Sequence, residues 1–269
     1  MGKPNDWDHR CSWSWKNHHD SLKHQIKTTI MLATTRQKLQ TVSTATLATA
    51  LFKRGLKNQF IQGVKPLEKG KPTMVGEAFT LRYIPAREDL NPITVFQDPK
   101  HPQRVAVETC PCGAVLVIDS RKDSRAASAG SILASRLMVR GAAGIVTDGG
   151  FRDSAEIAKL DMPSYHQAPS APTNLTLHQA IDINVPIGCG DVAVFPGDVL
   201  VGDDDGVIVI PAQLADEIAD EAISMTLYED FVTERVLEGH SIVGLYPLTL
   251  EANKKEFELW KQKMEATKD

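Results

Sequence analysis

The chain has 269 residues, of which 42% are hydrophobic and 24% are charged, and its formal net charge is −4. This length and apolar content suffice for one large domain with its own core, and they exclude low-complexity disorder over most of the chain. The acidic balance argues against a nucleic acid or an anionic membrane surface as partner, and no run approaches the ~20 apolar residues of a membrane span. We therefore expect no nucleic-acid and no membrane partner.

The first thirty residues differ in composition from the rest of the chain. Residues 1–30 hold three of the four tryptophans and four of the eight histidines, with few aliphatic side chains and no apolar stretch suited to secretion. This composition predicts a poorly ordered N-terminal extension. The four cysteines, Cys11, Cys110, Cys112 and Cys189, lack paired metal-knuckle spacing. We expect free thiols in a reducing compartment, and hence a cytoplasmic protein.

Periodicity assigns the elements from residue 41 onward. Ser43 or Thr44 caps a predicted helix that ends near Gly55. Residues 76–84 (GEAFTLRYI) alternate like a strand. Residues 89–104 are rich in proline and polar side chains and predict a long loop, of a length that often serves a function.

The middle of the chain predicts a βαβ unit. Residues 113–119 (GAVLVID) form a short apolar run typical of a strand buried on both faces, and residues 144–148 (GIVTD) form a second one. Between them, residues 132–140 show helical spacing. The order of strand, glycine turn, helix and strand indicates an α/β protein.

The C-terminal third predicts short strands followed by helices. Residues 185–211 contain three or four short strands broken by Gly, Pro and Asp, which predicts a compact antiparallel unit. The apolar residues between 213 and 237 approximate one helical stripe, and residues 251–268 predict a charged terminal helix.

Two segments carry candidate binding chemistry. Residues 129–133 (AGSIL) place a small-residue turn at a helix start, where free N–H groups favour a carboxylate, although capping alone also explains Gly-Ser there. Residues 148–156 (DGGFRDSAE) follow directly on a buried strand, and their double glycine allows close approach of the backbone to a ligand. Arg152 offers a fork for a carboxylate, and Asp153 and Glu156 are oxygen donors suited to Mg²⁺ or Mn²⁺. A surface Arg–Asp pair that caps a helix is the alternative.

In this order, the segments resemble the RraA-like family. That family includes the class II 4-hydroxy-4-methyl-2-oxoglutarate / 4-carboxy-4-hydroxy-2-oxoadipate aldolases and non-catalytic regulators of ribonuclease E. The resemblance covers roughly residues 40–240. The segments that carry it are GEAFT (76–80), GAVLVID (113–119), GSIL (130–133), RGAAGIVTDGGFRD (140–153) and PGD…DDGVIVIP (196–211).

The resemblance implies an α/β fold, an RraA-like β/β/α sandwich of the swivelling-domain type with additional C-terminal helices. It places a catalytic domain at residues 31–240, after the extension at residues 1–30 and before a helical tail at residues 241–269. Members of the family assemble as trimers, sometimes as hexamers, with sites at subunit interfaces. We therefore expect a homotrimer or hexamer.

The resemblance also assigns roles to single residues. Arg152 would contact the pyruvyl group of the substrate, Asp153 would bind Mg²⁺ or Mn²⁺, and Glu156 would support metal-bound water. The substrate carboxylate would lie on the backbone amides of Gly130, Ser131, Ile132 and Leu133. The aldolases usually carry Glu after the turn glycine, where this chain has Ser131.

The implied activity is that of a metal-dependent lyase. It would cleave 4-hydroxy-2-oxo acids by a retro-aldol reaction, release pyruvate, and decarboxylate oxaloacetate through the same enolate. The core motif contains no lysine, which disfavours a Schiff base. Two alternatives stay open. One is a hydro-lyase or other lyase for a sugar-acid-derived substrate, motivated by Ser131 and the segment 89–104, and the other is a non-catalytic regulator of a ribonuclease.

Overall fold

The computed structural model describes residues 31–266, so the predicted N-terminal extension lies outside the described residues. The helices are α1 (Ala33–Leu39), α2 (Thr44–Lys53), α3 (Pro102–Thr109), α4 (Ser131–Val139), α5 (Ser154–Ala158), α6 (Ala215–Leu237) and α7 (Glu251–Ala266). The strands are β1 (Lys65–Pro66), β2 (Met74–Pro85), β3 (Val115–Asp119), β4 (Ala127–Ala129), β5 (Gly144–Thr147), β6 (Gly150–Phe151), β7 (Ser164–His166), β8 (Ala168–Pro169), β9 (His178–Ile183), β10 (Ile187–Cys189), β11 (Val192–Val194), β12 (Val199–Gly202) and β13 (Val207–Ile210). Short 3₁₀ helices cover Ile93–Gln97, Asn174–Thr176 and Ala212–Leu214.

The main sheet is built around the long strand β2. Its strands follow the order β1-β7-β5-β3-β2-β12-β13, and β9 also pairs with β2. The first half of β2 pairs antiparallel with β12, and its second half pairs antiparallel with β9. Strands β3 and β5 run parallel to β2 and to each other, with α4 between them in the chain. The predicted strand at residues 76–84 and the predicted βαβ unit are therefore confirmed.

Strand β3 is buried on both faces, as its apolar run predicts. Leu116 and Ile118 belong to a core that also contains apolar residues of α3, α4 and α5. Val115 and Val117 belong to a second core, which contains residues of β10 and β11. A strand that packs on both faces has no position for an alternating polar residue, because each of its side chains is removed from water.

The prediction for residues 185–211 is correct in strand number and direction but wrong in treating the strands as one unit. β10 and β11 form an antiparallel pair of their own. β12 and β13 form a second antiparallel pair that joins the main sheet through β12. The two pairs separate because the free edge of β2 between Met74 and Glu77 offers hydrogen bonds to β12.

The N-terminal helices and α6 cover the β12–β13 side of the sheet. Ser43 caps α2 by accepting a hydrogen bond from the Thr46 amide, and Leu47 and Leu51 of that helix lie in a core with Ile218 of α6. Helix α7 packs on α6 through aromatic residues, with a tilted contact between Phe231 and Trp260 at 5.7 Å between ring centroids.

The two predicted C-terminal helices are thus confirmed over the described residues, while the domain division at residue 240 stays a prediction. In residues 31–266, no helix combines the length and the apolar character needed to cross a membrane. The cysteines of this range, Cys110, Cys112 and Cys189, are free thiols, as predicted.

The predicted loop at residues 89–104 is partly wrong. Residues 93–97 form a 3₁₀ helix, and Pro102 begins α3. Proline in a sequence usually predicts a loop. At the first position of a helix, however, its missing N–H removes no helical hydrogen bond. The last residues of the segment therefore lie on a helix.

Candidate functional site

A small parallel sheet brings the two candidate segments together. β4 pairs with β6, and β6 pairs with β8. At the end of the β4–β6 pair, the Arg152 amide donates to the Ala129 carbonyl oxygen over 3.0 Å. Gly130 therefore lies beside Arg152, although 22 positions separate them in the chain.

The start of α4 presents backbone amides, as predicted. The amides of Leu133 and Ala134 bond to the Gly130 carbonyl, which leaves those of Ser131 and Ile132 as the donors of the first turn without a backbone acceptor. Asp153 Oδ2 lies 3.4 Å from the Ser131 amide nitrogen and 3.2 Å from its hydroxyl oxygen. The Ile132 amide has no protein acceptor among residues 31–266. The helix start thus attracts a carboxylate, here one from the protein itself.

Gly130 provides the space in which Arg152 lies. A Cβ at Gly130 would come within 2.7 Å of Arg152 Cγ and 3.1 Å of Asp153 Oδ2. The Arg152 side chain is 50% exposed, and its Nε lies 3.8 Å from Asp153 Oδ2. The guanidinium fork is therefore free to bind an anion.

Asp153 has a left-handed backbone conformation, with φ at 55° and ψ at 35°. Aspartate is one of the few residue types that adopt this conformation readily. Although Asp153 stands at the N-cap position of α5, its side chain makes no capping hydrogen bond there. The pair therefore does not cap α5, and its carboxylate accepts from the first amide of α4 instead.

The Glu156 carboxylate lies outside this arrangement. It is exposed on α5 and accepts a hydrogen bond from Lys159 Nζ over 2.8 Å. The pocket lining includes Arg152, Asp153 and the turn residues from Gly130 to Leu133, but it does not include Glu156. The predicted role of Glu156 in supporting metal-bound water stays a prediction.

The pocket has a volume of about 240 Å³. Pockets for drug-sized ligands span about 300–1,000 Å³, so this one suits a small metabolite. Its walls include residues that the sequence does not single out, namely Phe96, Gln103, Arg104, Thr173 and Asn174. Three of these five come from the segment 89–104, whose length alone predicts a function.

Arg104 and Phe96 form one part of the pocket wall. The Arg104 guanidinium carbon lies 4.7 Å from the centroid of the Phe96 ring. The Phe96 ring meets His101 edge to face, with 5.4 Å between centroids. Burial, reinforced by the positive charge of Arg104, lowers the pKa of His101, so the imidazole is neutral near pH 7.

A buried amide network forms another part of the wall. Gln103 Nε2 donates to the Ser128 carbonyl over 2.7 Å, and the Tyr83 hydroxyl donates to the same carbonyl over 2.9 Å. Gln103 Nε2 also lies 3.5 Å from Asn174 Oδ1. Asn174 Nδ2 is buried and has no hydrogen-bond partner among residues 31–266.

The double glycine packs against protein, so its predicted close approach to a ligand is wrong. A Cβ at Gly149 would come within 2.5 Å of Ser120 Cβ and 2.9 Å of the Ser128 hydroxyl. A Cβ at Gly150 would come within 2.7 Å of Ser170 Cβ. Gly149 allows the buried hydroxyls of Ser120 and Ser128 to pack closely, and Gly150 allows close approach of Ser170 and of two backbone carbonyls.

Asp148 anchors the strand ends beneath the site. Its carboxylate accepts hydrogen bonds from the amides of Ser120 at 2.7 Å, Gly190 at 3.1 Å and Lys122 at 3.1 Å. Burial raises the pKa of this carboxyl, and these hydrogen bonds oppose the rise. We infer a structural role for Asp148.

The donor set of the pocket fits a hard divalent cation that keeps most of its waters. Asp153 is the acidic residue of the pocket lining, and residues 31–266 contain no group of three or more His, Cys, Asp or Glu side chains that could hold a metal. Mg²⁺ commonly binds through one or two carboxylates together with water and substrate oxygens. A closed site made entirely of side chains, like that of structural zinc, does not fit these residues.

Similar proteins include two that carry an aldolase name. A protein of Halalkalibacterium halodurans named "Putative 4-hydroxy-4-methyl-2-oxoglutarate aldolase" is 38% identical over 114 residues, which are 41% of this chain and 52% of that protein. A protein of the same name from Ectopseudomonas mendocina is 37% identical over 103 residues, which are 38% of this chain and 63% of that protein. The chain thus spans about half to two thirds of the length of these two relatives.

The fold is that of a solved relative. Streptomyces coelicolor RraAS2, described as an unusual member of the RNase ES inhibitor RraA protein family, is 28% identical with a TM-score of 0.67. The likeness covers 76% of this chain and 97% of that one, and it confirms the predicted α/β fold class. The family model for RraA-like proteins, described as Aldolase/RraA, matches residues 44–209. This chain therefore belongs to the RraA-like family, as its sequence predicts.

Proposed function

We propose that this protein is a divalent-metal-dependent lyase that cleaves 4-hydroxy-2-oxo acids by a retro-aldol reaction and releases pyruvate. The observation that carries the proposal is the meeting of Arg152, Asp153 and the first amides of α4 in one small pocket. The aldolase names of two relatives support the choice of substrate class.

The helix start and Arg152 hold the 2-oxo acid end of the substrate. The substrate carboxylate accepts from the Ile132 amide, and the positive end of the α4 dipole favours its charge. Arg152 places its fork beside the 2-oxo oxygen and the carboxylate. This arrangement fixes the carbon chain relative to the groups that act on it.

Arg152 stabilises the charge that develops during bond cleavage. The C4 hydroxyl proton passes to water, and the C3–C4 bonding electrons move toward the carbonyl at C2. The 2-oxo oxygen thereby gains negative charge, which the guanidinium neutralises in place. The resulting enolate takes a proton at C3 to give pyruvate, and C4 leaves as the carbonyl carbon of the second product.

Asp153 would hold Mg²⁺ or Mn²⁺, with the Ser131 hydroxyl donating to the same carboxylate. When bound, the cation supplies Lewis-acid polarisation of the substrate oxygens.

We propose oxaloacetate decarboxylation as a second activity, because loss of CO₂ from C4 of oxaloacetate yields the same enolate. The predicted homotrimer or hexamer stays a proposal, which light scattering can measure.

A regulatory role on a ribonuclease is the second candidate function. It is favoured by the 28% identity with RraAS2, whose description places it in an RNase ES inhibitor family. A lyase acting on a sugar-acid-derived substrate is a variant of the first proposal, since the segment 89–104 contributes Phe96, Gln103 and Arg104 to the pocket.

Pyruvate release separates these functions. The purified protein is incubated with 4-hydroxy-4-methyl-2-oxoglutarate or with oxaloacetate, with Mg²⁺ or with a chelator, and pyruvate is followed with lactate dehydrogenase. We expect release from both acids that requires Mg²⁺. Absence of turnover of both would contradict the proposal, and a stable ribonuclease complex in chelator would then favour regulation. Dehydration of a sugar acid without pyruvate would favour the hydro-lyase.

A further inference from the structure

The pocket contains a second arginine, Arg104, whose charge no carboxylate of the described residues neutralises. Arg104 lies on α3 and is half-buried, and its guanidinium contacts the Phe96 ring. Among residues 31–266 it forms no ion pair with an aspartate or a glutamate. A half-buried guanidinium that lies against an aromatic ring and pairs with no carboxylate keeps its hydrogen-bonding fork available for an anion.

A buried amide in the lining of the same pocket also lacks an acceptor among residues 31–266. The Asn174 side chain lines the pocket and is 3% exposed. Its Oδ1 accepts from Thr173 Oγ1 over 3.3 Å. Its Nδ2 has no partner in the part of the chain that the structure describes. Buried N–H groups in proteins are nearly always paired, so this donor points to an acceptor on a ligand.

The charge of the pocket lining points to a substrate with more than one carboxylate. The lining contains two arginines, Arg104 and Arg152, against one aspartate, Asp153. A divalent cation at Asp153 would add further positive charge. A 2-oxo acid end at Arg152 and the start of α4 accounts for one carboxylate, and the Arg104 fork is left for another.

We propose that Arg104 and Asn174 bind the second carboxylate of a dicarboxylic 2-oxo acid, with Arg104 as the residue that determines this specificity. The Thr173 hydroxyl donates to Asn174 Oδ1 over 3.3 Å, so the amide oxygen is occupied and Nδ2 is the group left for a ligand. The inference rests on the proposed function in that the 2-oxo end binds at Arg152.

Calorimetric binding of two matched acids tests the subsite. In Mg²⁺, 2-oxoglutarate and 2-oxovalerate differ only in a carboxylate or a methyl group at C5. We expect wild type to bind 2-oxoglutarate about ten- to a hundredfold more tightly, the range for hydrogen bonds to a charged group. Arg104→Gln should remove this preference and leave the affinity for 2-oxovalerate unchanged. Arg104→Lys, which keeps the charge without the fork, should retain part of it.

Arg87→Gln is the matched control, because Arg87 is an exposed arginine that pairs with Asp89 at the start of the same segment. Equal affinities in wild type, binding of neither acid, or a preference that survives in Arg104→Gln would overturn the subsite. Binding does not require turnover, so the two proposals can fail separately. The preference without pyruvate release would reject the lyase alone, and pyruvate release without the preference would reject the subsite alone.

Discussion

Ser131 presents a hydroxyl at the position where the resemblance to the aldolases of this family implies a glutamate. The hydroxyl lies 3.2 Å from Asp153 Oδ2 and donates to it. A hydrogen bond to an ionised carboxylate favours the charged form, which is the form that binds a cation. At the residue scale, this chain therefore keeps one acid in the pocket and supports it with a donor.

Ser131→Ala removes this donor without changing the backbone. The loss of a hydrogen bond of about 1 kcal/mol should lower kcat/KM for pyruvate release about fivefold and raise the Mg²⁺ concentration needed for half-maximal rate. Steady-state kinetics at varied Mg²⁺ measure both effects. Ser135→Ala, on the same helix, serves as the control, and an equal response of the two variants would argue against the proposed role of Ser131.

At the element scale, two glycines fit the small sheet to its neighbours in different ways. Gly130 at the end of β4 makes room for the Arg152 side chain, whereas Gly149 before β6 makes room for Ser120 and Ser128 in the interior. The first contact is with a catalytic candidate that is half exposed, and the second is with the packed core. We therefore expect a side chain at Gly130 to affect activity and a side chain at Gly149 to affect stability.

Alanine at each glycine should show this separation. Gly130 has a φ of −128°, which alanine tolerates, so Gly130→Ala should displace Arg152 and reduce kcat/KM about a hundredfold with little loss of stability. Gly149→Ala should lower the free energy of unfolding by about 1–3 kcal/mol, because its Cβ overpacks the core. Kinetics and urea unfolding of both variants measure this, and the reverse pattern would refute it.

At the scale of the whole molecule, much of the architecture follows from local sequence patterns. β3 is predictable because a run of apolar residues without alternation requires burial on both faces. The start of α3 is not predictable from composition, because Pro102 both breaks and begins helices. The pairing of β12 with β2 is a long-range contact that no local pattern contains.

The candidate site also has a part that the sequence predicts and a part that it does not. Arg152 and Asp153 are adjacent in one segment, so the sequence alone indicates that they act together. Arg104 and Asn174 come from a helix and a 3₁₀ turn far apart in the chain, and only tertiary packing brings them to one pocket. Glu156 shows the opposite case, since closeness in sequence to Asp153 does not bring its carboxylate to the pocket.

Acid stability of the whole molecule should depend on His166. Its ring stacks on Phe151 at 5.7 Å between centroids, and burial lowers the pKa of His166 to about 4. The unfolded chain takes up this proton near pH 6.5 and the folded chain near pH 4, so the stability present at neutral pH is lost as the pH falls between these values. Between pH 7 and pH 4.5, this titration should lower the free energy of unfolding by about 2–3 kcal/mol.

His166→Leu removes this titration at similar volume. Urea unfolding of wild type and variant at pH 7 and pH 4.5 gives the difference, in which other titrating groups cancel. Between pH 7 and pH 4.5, the free energy of unfolding should fall by about 2–3 kcal/mol less in the variant than in wild type. The same pH dependence in both proteins would show that folding does not lower the pKa of His166.

The most direct test of the account is the Mg²⁺ dependence of pyruvate release from 4-hydroxy-4-methyl-2-oxoglutarate by wild type and Asp153→Asn. Asparagine preserves the size of the side chain and one oxygen acceptor but removes the charge that would hold the cation. We expect saturation by Mg²⁺ in wild type and a drop in kcat/KM of about a hundredfold, or about 2.7 kcal/mol, in the variant. Undiminished, Mg²⁺-dependent turnover in Asp153→Asn would contradict it.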